Sequence, residues 1–320
     1  MNTHELLGKI TRLPIVADGL AEDILAGNFR SVFKGQGMEF DEARHYQWGD
    51  DARSIDWNAS ARLGTPFVKM FREERELTIL LLLDTSASMH GGLVNLWGNA
   101  QADKNKGKGE EQSPSPFEQA LIAAALIAFS AERSGQRVGA FLFDREIDRV
   151  FPPRKGRRNI LAFVSGALQC HRPALAIGHS PMAPNEYTSN LRSAIAGAGR
   201  LLKRRSMVAL ISDFHSTGWE QELGGLCSKH DVIAIRISDP LDEDLPDLGL
   251  ITMRDPETGL QVAAPTGSAS FRGAWAQWHK ERAELWQNHC RRSGAACLAL
   301  PVNADPATAL TRFFGGRSGR

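Results

Sequence analysis

The sequence predicts an α/β protein built on a doubly wound, mostly parallel sheet, flanked by an N-terminal polar/β segment and a C-terminal α/β extension. Three observations predict it. Short apolar runs such as Leu77–Leu83 and "SMVALISD" suit strands buried on both faces of a parallel sheet. Helical patterns alternate with these runs, as crossover connections between parallel strands require. Carboxylates close several of the runs, Asp84, Asp213 and Asp239 among them. In open α/β sheets ligands gather beyond the carboxyl ends of the strands.

With 320 residues and 42% hydrophobic content, the chain can bury a sizeable core. Its net charge of +1, from 38 basic and 37 acidic side chains, gives no global attraction to nucleic acid or anionic membrane. The four cysteines, Cys170, Cys227, Cys290 and Cys297, form no C-x-x-C pair and no zinc spacing, so they read as reduced thiols in a cytoplasmic protein. No signal-peptide core opens the chain, and the longest apolar run, Ala120–Phe129, is far short of the ~20 residues a membrane span needs.

Residues 1–75 are polar, aromatic and charge-rich, and form the first segment. Residues 76–240 carry the main α/β pattern. Leu77–Leu83 opens it as a strand, followed by a glycine- and charge-rich insert, Gly91–Ser115, whose composition suits a mobile loop. Ser115, Pro116 and Glu118 then spell a capping box with proline at the first helical position. The helix they start, "FEQALIAAALIAFSAER", is apolar almost all round and should be deeply packed. "QRVGAFLFD" and "DRVFPP" read as strands, and "RRNILAFVSGAL" and "TSNLRSAIAGAGRLLKR" as helices. "SMVALISD", "WEQELGGLCSKH" and "DVIAIRISD" read as strand, helix and strand. Residues 241–320 follow with a hairpin-like piece (Leu250–Val262), a long helix near Ser270–Ser293, the strand "ACLALP" and a final short helix.

The first strand ends in D-x-S-x-S, Asp84, Ser86 and Ser88. Hydroxyls on alternate residues of an extended loop point the same way. With a carboxylate beside them they make part of an oxygen cage suited to a hard cation such as Mg²⁺ or Mn²⁺. Asp213 is the obvious second carboxylate, and Thr188 or Ser189, opening a helix, a third hydroxyl. The plainer alternative is that the serines cap a helix while Asp84 bonds the loop. An enzyme reading competes as well, because phosphoaspartyl phosphatases place a nucleophilic aspartate after a buried first strand. Asp84 would then be the nucleophile of a metal-dependent hydrolase. Those enzymes carry a second aspartate two residues on, where this chain has Ser86. No phosphate-binding glycine loop and no nucleophile elbow occur.

D-x-S-x-S-M with a later hydroxyl and a later strand-end aspartate resembles the metal-ion-dependent adhesion site of von Willebrand factor A domains, and the order of elements over about 75–240 resembles that fold. The resemblance implies a cation held by Asp84, Ser86, Ser88, Ser189 or Thr188, and Asp213, with a carboxylate from a partner protein completing the shell. Upstream, "RHYQWGDDARSIDWNASARLGTPFVKMFREERE" is similar to the signature of the domain-of-unknown-function 58 family, as is the later "SDPLDEDLPDLGLITMRDPETG". That resemblance implies a non-enzymatic adaptor or co-chaperone working with a MoxR-type AAA+ ATPase. Many relatives carry N-terminal membrane helices, which this sequence lacks.

The upstream residues read by themselves as an interlocked charge cluster. Arg44, Arg53 and Arg62 alternate with Asp50 and Asp56, beside Tyr46 and Trp57. Arginine forks hold carboxylates bidentately, and Trp57 offers a flat face for packing or a cation. Such a cluster would brace the N-terminal segment or dock a partner. Arginines that keep these carboxylates ionised make them poor general acids. Trp275, Trp278 and Trp286 recur at helical spacing and read as core packing.

Overall fold

The computed structural model describes residues 39–48, 50, 55–72, 77–90, 114–170, 190–255 and 260–318. They fall into two units, one within Phe29–Glu76 and the other from Leu77 onward. In the smaller unit, strands β1 (Glu39–His45) and β2 (Phe67–Arg72) form an antiparallel ribbon with an irregularity between Phe40 and Glu42. Helix α1 (Trp57–Leu63) lies between them in sequence. Asp56 starts it by accepting hydrogen bonds from the Asn58 and Ala59 N–H groups at 3.0 and 3.2 Å. Gly64 ends it in the left-handed conformation, φ 71°, which glycine adopts without a Cβ penalty.

The larger unit runs β3 (Thr78–Asp84), α2 (Ala87–His90), α3 (Pro116–Arg133), β4 (Arg137–Phe143), β5 (Ile147–Arg154), α4 (Arg157–Cys170) and α5 (Leu191–Leu201). It continues with β6 (Met207–Ser212), α6 (Glu220–Cys227), β7 (Asp231–Ser238), α7 (Pro240–Glu243), β8 (Leu250–Arg254) and β9 (Gln261–Pro265), then α8 (Ala269–Ser293), β10 (Ala296–Pro301) and α9 (Pro306–Ser318). Six of these strands form one sheet in the order β10-β7-β6-β3-β4-β5. Every pairing is parallel except β4 with β5. The link from Phe143 to Ile147 is too short for the crossover a parallel strand needs, so β5 turns back along β4. Counted along the chain, this is the 3-2-1-4-5-6 order of doubly wound sheets, and it reverses between β3 and β6.

Alternation along the strands supplies both core faces. Leu80, Leu82, Phe141, Phe143, Val208, Leu210, Val232 and Ala234 share one buried cluster with residues of α5, α6 and α8. Ile79, Leu81, Leu83, Ala140, Leu142, Ala209 and Ile211 are buried on the opposite face, where α3 packs. All of α3 from Phe117 to Ala131 is buried, as its apolar circumference predicts. Its capping box is present: the Glu118 N–H donates to Ser115 Oγ at 3.2 Å, and the Ser115 N–H donates to Glu118 Oε2 at 2.8 Å.

The region predicted as a C-terminal extension contributes to this same sheet. β10 is its edge strand, registered Ala296↔Ile233 through Pro301↔Ser238. The Gln119 amide of α3 donates to the Pro301 and Ala304 carbonyls at 3.0 and 2.7 Å. β8 and β9 form a separate antiparallel hairpin. The three tryptophans of α8 part company. Trp286 is core, Trp275 donates its indole N–H to the Leu241 carbonyl at 3.1 Å, and Trp278 is 49% exposed beneath Arg282. Helical spacing alone assigned them one face, but α8 has the sheet side for Trp286 and solvent for Trp278. Among the described residues no helix is long and apolar enough to cross a membrane. The insert assigned to 91–115 lies outside the described residues up to 113, and Thr188 and Ser189 lie outside them too.

Candidate functional site

Where the sheet order reverses, the carboxyl ends of β3 and β6 lie side by side, paired as far as Leu83↔Ile211. One step further stand Asp84 and Ser212. The Ser212 hydroxyl donates to Asp84 Oδ2 at 2.6 Å and accepts the Phe214 N–H at 3.0 Å. Asp84 Oδ1 accepts the Ser86 N–H at 2.9 Å. The Ser86 and Ser88 hydroxyls lie 3.0 Å apart, although Ser88 belongs to the short helix α2 and not to the extended loop the sequence suggested, and Ser88 also hydrogen-bonds Asp213. The sequence therefore brought four predicted site residues, Asp84, Ser86, Ser88 and Asp213, to one place.

The plainer alternative is partly met: Asp84 bonds its own loop, and α2 begins directly after Ser86. The Ser86 hydroxyl, however, faces Ser88.

Asp213 points into the site because the chain bends sharply after β6. Phe214 takes a left-handed conformation, φ 57°, which costs a residue with a Cβ roughly 1–3 kcal/mol. Aromatic packing offsets that strain. Phe214 is buried, with ring centroids 5.4 Å from Trp219 and 5.5 Å from Trp286. The turn also brings His215 back onto Asp213: its N–H donates to Oδ1 at 3.0 Å, and its Nδ1 lies 3.3 Å from Oδ2.

Burial governs the charges. Asp84 and Ser86 have no exposed surface, and Asp213 has 6%. Burial and then the neighbouring Asp213 charge push the Asp84 carboxyl up to about 7. Burial would raise Asp213 too, but the charge and hydrogen bonds of His215 win and hold it below the usual carboxylate range. His215 is raised in turn by Asp213. Beyond His215 lies a second polar band. Arg282 donates to the His215 carbonyl at 3.0 Å, and Asp242 Oδ1 lies 3.6 Å from His279 Nδ1.

Among the described residues no group of three or more His, Cys, Asp or Glu is arranged to hold a metal. A cation here would rest on two carboxylates and on hydroxyl oxygens. That donor set fits a hard divalent ion, and the mutual repulsion of Asp84 and Asp213 is what such an ion would relieve. Asp84, Ser86, Ser88 and Asp213 could hold it. Ser212, His215 and Phe214 were not singled out from the sequence. Ser212 is legible in retrospect as the residue next in register to Asp84, and His215 as the second residue after Asp213.

In the smaller unit the described residues show two contacts of the upstream cluster. Arg44 holds Asp50 bidentately, at 2.8 Å to Oδ2 and 2.7 Å to Oδ1, and the Gln47 N–H adds a bond of 2.8 Å. These bonds lower the Asp50 carboxyl, the arginine contributing most. Asp56 caps α1, its carboxylate accepting the free N–H groups of the first turn. Tyr46 donates its backbone N–H to the Pro66 carbonyl at 2.9 Å. Trp57 is 71% exposed, Arg62 sits in the exposed last turn of α1, and Arg53 lies outside the described residues.

The fold and the site define a doubly wound α/β protein with a polar site at the switch point of its sheet. Residues 42–284 match the family described as "Protein of unknown function DUF58", and the chain belongs to that family. It is 29% identical over 314 residues to the uncharacterised protein Rv1480 of Mycobacterium tuberculosis, covering 98% of this chain and 90% of the relative. It is 32% identical over 142 residues to the uncharacterised protein MAV169 of Mycobacterium avium, covering 44% and 83% of the two chains. Among solved structures it is similar to the conserved hypothetical protein BatB of Bacteroides thetaiotaomicron, with 15% identity, TM-score 0.43, and 76% and 100% of the chains covered. The SpRpn10 VWA domain is similar at 12% identity, TM-score 0.37, with 74% and 95% covered.

Proposed function

We propose that this chain is a divalent-cation-dependent protein-interaction module acting in the bacterial cytoplasm, as an adaptor or co-chaperone of a MoxR-type AAA+ ATPase. One observation carries the reading. Two buried carboxylates, Asp84 and Asp213, converge with the Ser86 and Ser88 hydroxyls at the switch point of the sheet. Burying two like charges side by side is unfavourable, and Mg²⁺ or Mn²⁺ would reverse the balance. When bound, the cation supplies a Lewis-acidic position for a carboxylate oxygen of a partner. Asp84, Ser86, Ser88 and Asp213 would hold it, with Thr188 or Ser189 adding a hydroxyl. Ser212 fixes the Asp84 carboxylate through a 2.6 Å bond, and His215 fixes Asp213 through its N–H. The MoxR-type partner is what the family resemblance implies.

The competing reading is phosphoester hydrolysis with Asp84 as nucleophile, and its weak point lies in the sequence. The position two residues on, where a general acid would stand, is Ser86.

The test is a pull-down from native lysate with tagged wild-type protein and Ser86→Ala, each in millimolar Mg²⁺ and in EDTA. The reading expects an AAA+ ATPase to be retained by the wild type in Mg²⁺ alone. Capture indifferent to EDTA would remove the cation from the account. Hydrolysis of a generic phosphoester, abolished in Asp84→Asn, would replace this reading with the hydrolase.

A further inference from the structure

We propose that Arg236, at the carboxyl edge of β7, is an oxyanion-binding residue that takes a side-chain carboxylate from an acidic segment of a partner protein, beside the Asp84–Asp213 site. That the carboxylate belongs to a protein partner rests on the interaction reading above; that Arg236 takes one does not.

Strand register fixes the position. Leu83 pairs with Ile211, and Ser212 pairs with Arg236. Asp84, Ser212 and Arg236 therefore stand in one row across β3, β6 and β7. Their side chains share a face, because Leu82, Leu210 and Ala234, two residues earlier in each strand, all belong to the cluster covered by α5, α6 and α8. The 2.6 Å bond from Ser212 to Asp84 joins two members of that row.

Arg236 is the member whose charge is unanswered. It is 8% exposed, yet among the described residues it makes no hydrogen bond and no ion pair. Asp242, Asp213 and Glu243 act on it only from a distance. Asp242 turns its Oδ1 to His279 Nδ1 at 3.6 Å, and Asp213 is engaged by His215. Burial outweighs the support of these carboxylates and lowers the guanidinium from its usual value. Arg282, held by the His215 carbonyl at 3.0 Å and 4.8 Å above the Trp278 ring, presses on Arg236 as a like charge. His279, reached by both arginine charges, is buried with neither ring nitrogen hydrogen-bonded. The Arg236 head is still open to a ligand, since none of its nitrogens is among the sealed polar atoms that lack a partner.

A buried charge without a partner costs stability, and folds keep such a group where a ligand answers it. A carboxylate suits the planar fork, accepting two parallel N–H bonds. Adjacent strands lie about 4.8 Å apart, so Arg236 stands about 10 Å along the row from Asp84. Alternate side chains of an extended segment lie on one side, about 6.6 Å apart. Two acidic side chains so placed span the row, one over Asp84 and Asp213 and the other on Arg236. The pair of anchors thus selects a segment with acidic residues at alternate positions.

The probes are the peptide acetyl-Asp-Gly-Asp-amide, its neutral counterpart acetyl-Asn-Gly-Asn-amide and inorganic phosphate, added to the full chain in EDTA at neutral pH and matched ionic strength. The wild-type melting temperature should rise with the Asp peptide and stay unchanged with the Asn peptide. Arg236→Met removes the unpaired charge and keeps an apolar stem, so it should melt at or above the wild type and lose the response. Arg236→Lys keeps the charge without the fork and should need severalfold more Asp peptide for the same shift; it decides the matter if Arg236→Met folds poorly. A wild type indifferent to the Asp peptide would overturn the proposal, as would an undiminished response in Arg236→Lys. Phosphate acting at lower concentration than the Asp peptide would overturn the assignment to a carboxylate. Repeating the series in Mg²⁺ separates this site from the cation site. Stabilisation by Mg²⁺ without an Asp-peptide shift would remove the anion site alone, and an Asp-peptide shift in EDTA with no effect of Mg²⁺ would remove the cation site alone.

Discussion

Asp84→Asn tests the electrostatics of the switch-point site without changing its shape. In the metal-free protein the Asp84 carboxyl titrates at about 7 instead of its usual 3.8. Between those values the folded state binds a proton that the unfolded state has released. Stability therefore falls as pH rises through that window, and the full loss is present above about pH 7. A rise of that size corresponds to about 4 kcal/mol. Hydrogen bonds from Ser86 and Ser212 support the charged form and are weakened in the variant, so the expected gain is about 2–3 kcal/mol. In EDTA at pH 8, Asp84→Asn should melt several degrees above wild type, at about 2–4 °C per kcal/mol for a domain of this size. At pH 5 the difference should nearly vanish. Millimolar Mg²⁺ should act the other way. Wild type gains about 2.7 kcal/mol when the ion is a hundredfold above its Kd, and the variant gains little, so the gap closes or reverses. Differential scanning calorimetry in the four combinations of pH and Mg²⁺ makes the measurement. A variant less stable than wild type in EDTA at pH 8, with the same response to Mg²⁺, would refute the reasoning and leave Asp84 a structural residue.

Three further outcomes follow from other parts of the molecule. Gly139→Ala should destabilise by about 1–3 kcal/mol in urea unfolding, because a Cβ there would stand 2.8 Å from Pro153 N and 2.9 Å from Phe151 O, backbone atoms of β5 that cannot rotate away; an unchanged midpoint would show that β5 shifts freely. Asp56→Ala should lose about 1 kcal/mol of capping and speed amide exchange in α1, whereas Arg62→Ala should do neither; equal effects would restore an interlocked cluster. His279 is buried, and burial first, then the charges of His215, Arg236 and Arg282, lower its imidazole to about 4 despite Asp242 at 3.6 Å. Its contribution is present above the unfolded value near 6.5 and is lost as pH falls toward 4, so wild type should lose about 2 kcal/mol relative to His279→Gln between pH 7 and 4.5. Parallel pH curves for the two proteins would show that folding leaves the protonation of His279 unchanged.

What was legible in the sequence was whatever depends on pattern along one segment. Leu80 and Leu82 take one core face while Ile79, Leu81 and Leu83 take the other, because alternation follows from strand geometry alone. Ser115, Pro116 and Glu118 marked the start of α3 to the residue. Asp84 and Asp213 were found together because strand ends in a doubly wound sheet share one edge. What escaped depends on contacts between segments. Ser212 looks like one more residue of a buried strand until the register with β3 sets its hydroxyl 2.6 Å from Asp84. Asp56 looks like one more carboxylate between arginines until the start of α1 brings two free amides onto it. Phe214 carries no local sign of its left-handed backbone, since no glycine marks it; the conformation is imposed by Trp219 and Trp286, which arrive from two different helical regions to hold its ring. The same holds for His215, whose bond to Asp213 exists because that strained turn folds the chain back on itself. Position in a segment thus chose the oxygens of the candidate site, and packing from α6 and α8 chose the groups that orient them.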